Sequence, residues 1–232
     1  MAHGGICDAL YMPNFTALRG TGNLCLSCRV FFLTRASPAT THRPPSVLII
    51  PIRQYRQIYN SPDWPAANEN LPWLHVLDDH EIANDWDSNT TGLYNAAIDP
   101  FNHYHHSINP PPVRPTGGPY YTFNYGNAAS FFMLDTRTFR SPVTAPDGPE
   151  KTMLGELQRS DFLRWLSDGT GWKIVVSSVP WTKNWRVNGQ DTWSGYLYER
   201  QIILEEMWRV GGGRVVVISG DRHEFAATAY VY

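Results

Sequence analysis

Three apolar runs in this chain end directly in carboxylates, and no other feature restricts its fold as much. Leu74 to Leu77 runs into Asp78-Asp79-His80-Glu81, and Phe131 to Leu134 into Asp135-Thr136-Arg137. Val215 to Ile218 runs into Ser219-Gly220-Asp221-Arg222-His223-Glu224. Short continuous runs of β-branched and aromatic residues are the pattern of strands covered on both faces, and Lys173 to Ser177 adds a fourth. Two helical patterns separate the later runs. One starts at a Thr152 cap and runs to about Ser167, with Leu154, Leu157, Trp165 and Leu166 as its buried stripe and Gly169 beyond its end. The other runs from about Tyr198 to Arg209, with Ile203, Leu204, Met207 and Trp208 on one face, and stops at Gly211-Gly212-Gly213. Alternating strands and helices specify an α/β fold. In such folds ligands bind outside the carboxyl ends of the strands, where these acids lie.

Carboxylates gathered there repel one another, and burying them uncompensated costs several kcal/mol each. A bound cation removes that penalty. Aspartate with histidine and no nearby thiolate is a hard donor set, suited to Fe, Mn, Zn, Mg or Ca. Either acidic motif alone also serves as a turn or a helix cap; two of them at strand ends in one chain favour a metal site. The remaining readings are local. Val47 to Ile52 is a strand-length apolar run, Phe225 to Tyr232 reads as a last strand, and the Pro-, Asn- and His-rich segment from Thr90 to Tyr121 reads as a loop covering a site.

Composition bounds the rest. The 232 residues suffice for one sizeable domain, and a net charge of −2 leaves no electrostatic footprint for nucleic acid. No apolar run approaches the roughly 18 to 20 residues that span a bilayer, and no basic-then-apolar leader opens the chain, so an intracellular location is expected. Cys7, Cys25 and Cys28 are too few and too odd in number for a disulfide framework; incidental cysteines are favoured over a zinc knuckle. His103 to His106 reads as solvated loop histidines rather than a ligand set. Residues 1–46 lack any sustained period and are expected to form an atypical, poorly ordered segment ahead of a domain spanning 47–232.

At these motifs the chain resembles the alkaline phosphatase D (PhoD-like) metallophosphatase family, within the calcineurin-like metallophosphoesterases. The blocks that carry the likeness are Leu77 to Asp85, Leu134 to Arg140, Met153-Leu154-Gly155 with Gln158, Ser177 to Pro180, Asp191 to Tyr196 with Glu199-Arg200, and Ser219 to His223. Six blocks in the family's order cover about two thirds of the chain. The resemblance implies an α/β metallophosphoesterase fold, a β-sandwich flanked by helices, and hydrolysis of phosphomonoesters or phosphodiesters by hydroxide held on a binuclear centre, iron and calcium by preference. It places Asp79, with Asp78, Asp221 and His223, as metal ligands and His80 as the histidine that serves the leaving group. Arg222 is then a binder of phosphoryl oxygens, whereas Arg137 and Arg140 are equally well explained as ion-pair partners. Asp191 to Tyr196 reads as a turn shaping the site or, more simply, an aromatic packing corner.

The family's upstream Gly-Asp-x-x-Tyr block has no convincing counterpart. Asp8-Ala9-Leu10-Tyr11 has the spacing, but no apolar strand precedes it. The expectation is therefore an incomplete domain lacking its first strands and first metal half-site. An inactive remnant kept for an interaction is the alternative, and an aromatic-rich glycan-binding module a third.

Overall fold

The computed structural model describes residues 25–27, 49–62, 72–169, 171–183, 189–211, 213–222 and 225–230. In chain order the elements are β1 (Cys25–Ser27), α1 (Ile49–Tyr59), β2 (Trp73–His75), α2 (Tyr94–Tyr104), β3 (Tyr121–Tyr125), β4 (Ala129–Met133), α3 (Gly155–Ser167), β5 (Trp172–Ser177), α4 (Leu197–Gly211) and β6 (Val215–Ser219). A four-stranded sheet runs in the order β3-β4-β5-β6. Its first pair is antiparallel and the other two are parallel. The parallel strands are linked through α3 and α4, the long crossovers that parallel neighbours need, so their carboxyl ends emerge together. β2 pairs in parallel with β1 in a separate two-stranded sheet. The architecture is thus mixed α/β, a sheet flanked by helices; a sandwich of two full sheets is not among the described residues.

Each face of the larger sheet is covered. On one side Phe132, Leu134 and Val175 pack with Phe162 and Leu166 of α3, Ile203 and Met207 of α4, and the rings of Trp181, Trp193 and Tyr196. On the other, Tyr121, Met133 and Val176 meet Val76, with Leu74 and Phe123 partly covered beside them. This second contact brings the end of β2 up to the ends of β4 and β5. The four expected strands are therefore found, each within about two residues of its expected bounds.

Several expectations are corrected. Leu157 is 56% exposed; the inner face of α3 is set by Gln158, Asp161, Phe162 and Leu166. Gln158 turns inward because its amide pairs with the Asp135 backbone, Nε2 donating to the carbonyl and Oε1 accepting from the N–H. Trp208 likewise faces outward on α4. Thr152 Oγ1 accepts from Gly155 N at 2.7 Å, but the cap position of α3 is Leu154, which makes no side-chain cap bond. The run from Ile49 to Ile52 belongs to α1 rather than to a strand. Pro51 falls in the first helical turn, where its missing N–H costs nothing, and Tyr55 and Tyr59 stack on Tyr104 of α2. Part of the supposed covering loop is α2 itself. Its Tyr94, Ala97 and Phe101 pack under Leu77 and Ile82 despite Pro100 inside the helix. Residues 225–230 carry no regular structure. No described strand lies beyond β6 to pair with them, and a strand needs a ladder partner.

Candidate metal centre

The turn after β4 sets the geometry. Asp135 Oδ1 accepts from the backbone N–H groups of Arg137 and Thr138, both at 3.0 Å. A short acidic side chain closing on its own downstream backbone is a turn former. One oxygen of Asp135 is thereby committed to the turn, and the residue is in neither group of converging acids. The residue the turn delivers inward is Arg137, whose side chain is fully buried. Its Nε donates to Asp78 Oδ1 at 2.9 Å, and Nη1 and Nη2 donate to the two oxygens of Asp191 at 2.7 and 3.0 Å. Asp79 Oδ2 lies 3.8 Å from Nη2. Arg140 Nη2 also donates to Asp191, at 2.8 Å.

β2 supplies the acids at the centre. Asp78 and Asp79 are buried at its end, and the Asp78 backbone N–H donates to the buried Glu81 carboxylate at 2.9 Å. The second oxygen of Asp78 accepts no hydrogen bond of good geometry, although the Ser178 hydroxyl lies near enough to favour its ionised form. Asp79 Oδ2 accepts from Asp85 N at 2.6 Å, and its Oδ1 lies 2.8 Å from His80 Nδ1. From β6, Gly220 N donates to Ser178 O at 3.3 Å, which holds the next residue, Asp221, over the sheet end. Oxygens of Asp78, Asp79 and Asp221 then fall within 4.8 Å of one another, as do those of Asp79, Asp85 and Asp191.

Proton affinities follow from this crowding. Burial raises the Asp78 carboxyl, outweighing the pull of Arg137. Burial pushes Asp79 the same way, but its bond to His80 and the charge of Arg137 prevail and hold it at about 2. The same bond raises His80. Asp221 is pushed up to about 7 by burial and by the neighbouring Asp78 charge. Arg137 and Arg222 offset only part of that effect on Asp221, and a cation among these three acids would offset more of it. Three convergent oxygens and no thiolate suit a hard ion.

Of the residues expected from the sequence, Asp78, Asp79, His80 and Asp221 are brought together. Arg222 lies alongside, its Nε 3.2 Å from Asp221. His223 lies outside the described residues, as do Asp8, Tyr11, Cys7 and Cys28. The His103–His106 run is not part of the centre: His105 is buried and stacked on His75 with ring centroids 4.1 Å apart. Asp191 joins the site through Arg137, while Trp193 and Tyr196 of the same segment are buried packing. The turn and the packing corner both exist there. Asp85 reaches the site as well, through its backbone N–H on Asp79.

The chain also has recognisable relatives among known proteins. Residues 40–232 match the family model described as PhoD-like phosphatase. Alkaline phosphatase D of Bacillus subtilis (strain 168) is 26% identical over 226 residues, a match covering 83% of this chain and 38% of that protein. A solved structure described as "Structure of PhoD" superposes with a TM-score of 0.60 at 25% identity, over 75% of this chain and 39% of that one. The chain thus spans about two fifths of the length of these relatives.

Proposed function

We propose, for a chain that belongs to the PhoD-like phosphatase family, that the acids at its strand ends hold metal for the hydrolysis of phosphoric esters. The observation that carries the reading is the approach of Asp78, Asp79 and Asp221 to within 4.8 Å, with His80 on Asp79. Iron and calcium are the ions we favour, with Mn, Zn and Mg compatible with the same donors. His223 and an upstream half-site would complete a binuclear pair. Bound ions would supply Lewis-acid activation of water and neutralise phosphoryl charge.

The chain's own residues do the remainder. Asp78, Asp79 and Asp221 are the ligands. His80 has Nδ1 committed to Asp79, so Nε2 is the atom that carries a proton to the departing alkoxide, a general-acid task. The Asp79 contact raises the affinity of His80 for its protons. Arg222 offers its guanidinium to the equatorial oxygens as charge grows on them.

A chromogenic phosphodiester assayed with wild type and Asp79→Ala after metal loading is the test. The variant is expected to lose at least about 100-fold in rate, the scale of a disturbed metal site; equal rates would remove Asp79 from the mechanism. One further outcome is a domain that binds metal without turnover. That outcome reads as metal uptake with no hydrolysis by either protein.

A further inference from the structure

We infer that Arg137 is the positioning residue of this centre, and that the Asp79–Asp85–Asp191 cluster holds its guanidinium rather than a metal ion. The inference rests on the metal-binding reading above and deepens it.

By distance alone two clusters compete for a cation, since each brings three carboxylate oxygens within 4.8 Å. Their surroundings differ. Both Asp191 oxygens accept from Arg137, one of them also from Arg140, and the Arg137 Nη2 that bonds Asp191 lies 3.8 Å from Asp79 Oδ2. A planar guanidinium with its fork of donors already supplies what an ion would bring there. Around Asp78, Asp79 and Asp221, among the described residues, the guanidinium contacts are Arg137 on Asp78, the more distant Arg137 approach to Asp79, and Arg222 on Asp221. That cluster is left to take the ion.

Arg137 also ties three segments together. Through Nε it fixes Asp78 at the end of β2, and through Nη1 it reaches the Trp86 carbonyl at 3.3 Å. Through both terminal nitrogens it is anchored on Asp191. Asp191 is held from behind by Arg140, whose Nε donates to Tyr196 Oη at 3.0 Å; that hydroxyl donates to Ser141 O at 2.6 Å. A connected path of buried hydrogen bonds thus runs from the aromatic core to the oxygen of a proposed ligand. Partners of this kind, which orient ligands without touching the ion, typically govern affinity by 10- to 100-fold.

The sign of one measurement separates positioning from charge. If Arg137 acted only as a positive charge beside the ion, removing it would relieve repulsion and tighten metal binding. If it positions Asp78, removal loosens the ligand and weakens binding. Calorimetric titration of Mn²⁺ into wild type and Arg137→Met is therefore expected to show affinity lower by about 10- to 100-fold. Arg137→Lys should fall as well, because an ammonium cannot span Asp78 and Asp191 together. Asp191→Asn should weaken binding in the wild-type background and add nothing to Arg137→Met. Asp85→Asn should leave the stoichiometry unchanged.

Equal or tighter binding by Arg137→Met overturns the inference while leaving the metal reading intact, and a lower stoichiometry in Asp85→Asn does the same. No Mn²⁺ uptake by wild type removes both. Should Arg137→Met fail to fold, Asp191→Asn decides the matter: unchanged affinity sinks the proposal and a loss supports it.

Discussion

Asp161 lies on the buried face of α3 and receives four donors. Arg114 gives two of them at 2.5 and 2.7 Å, Tyr120 Oη one at 2.7 Å and Arg164 one at 3.1 Å. The Arg114 bonds, against the opposing effect of burial, hold its carboxyl below the ordinary value of 3.8. A depressed acid contributes stability above its unfolded pKa and loses it as pH falls through the folded one. Wild type should therefore lose stability more steeply than Asp161→Asn on acidification below about pH 4, which urea unfolding across that range would measure. Neither Asp161 nor Arg137 shows its role in the sequence. Asp161 finds Arg114 across 47 positions, and Arg137 finds Asp78 and Asp191 across 59 and 54. Asp78, Asp79 and Asp221 were legible because their signal is local: an acid at the end of an apolar run. An arginine has no such context, and its function is written in partners that only the fold supplies.

At the scale of elements, the two crossover helices are stapled at their amino ends by one side chain. Glu199, in the first turn of α4, accepts from Met153 N at 2.5 Å, from Leu154 N at 3.3 Å and from Thr152 Oγ1 at 2.6 Å, satisfying donors at the start of α3. Glu199→Ala would leave those groups buried and unpartnered, at a cost of about 2–4 kcal/mol. Glu199→Gln, which still accepts, should cost less; the two urea midpoints give the comparison. Strands and helices of this domain were largely readable, because apolar period and caps are local. The failures have one cause. The inner face of α3 carries Gln158 and Asp161, whose partners lie in the turn after β4 and in the loop before β3, so an apolar stripe counted from the sequence alone chose Leu157 instead. In α2, Pro100 and the surrounding Asn and His residues mask a helix held by Tyr94, Ala97 and Phe101 against Leu77 and Ile82. Tertiary packing overrides weak local preference in both.

Across the whole molecule, the proposed centre draws on both sheets: Asp78 and Asp79 follow β2, and Asp221 follows β6. An ion there would cross-link the two, and only in the folded state. Binding to the native form alone raises stability by about 2.7 kcal/mol at 100 times the dissociation constant. Mn²⁺ should accordingly raise the melting temperature of wild type, a chelator should reverse the gain, and Asp221→Asn should show little of it, all readable by thermal unfolding. That the strand ends converge was expected from the α/β pattern. Which strands share a sheet was not, since pairing order depends on long-range register rather than on any local period. Among the described residues, no helix is long and apolar enough to cross a membrane.

Asp221 has a backbone φ of +79°, a region where a side chain costs roughly 1 kcal/mol or more and glycine costs nothing. Asp85, bonded to Asp79 through its N–H, has a φ of +55°. Two acids thus occupy postures that the smallest residue would adopt at ease. Glycine at either position would relax the backbone and take a carboxylate away with it, so comfort and charge are traded against each other there.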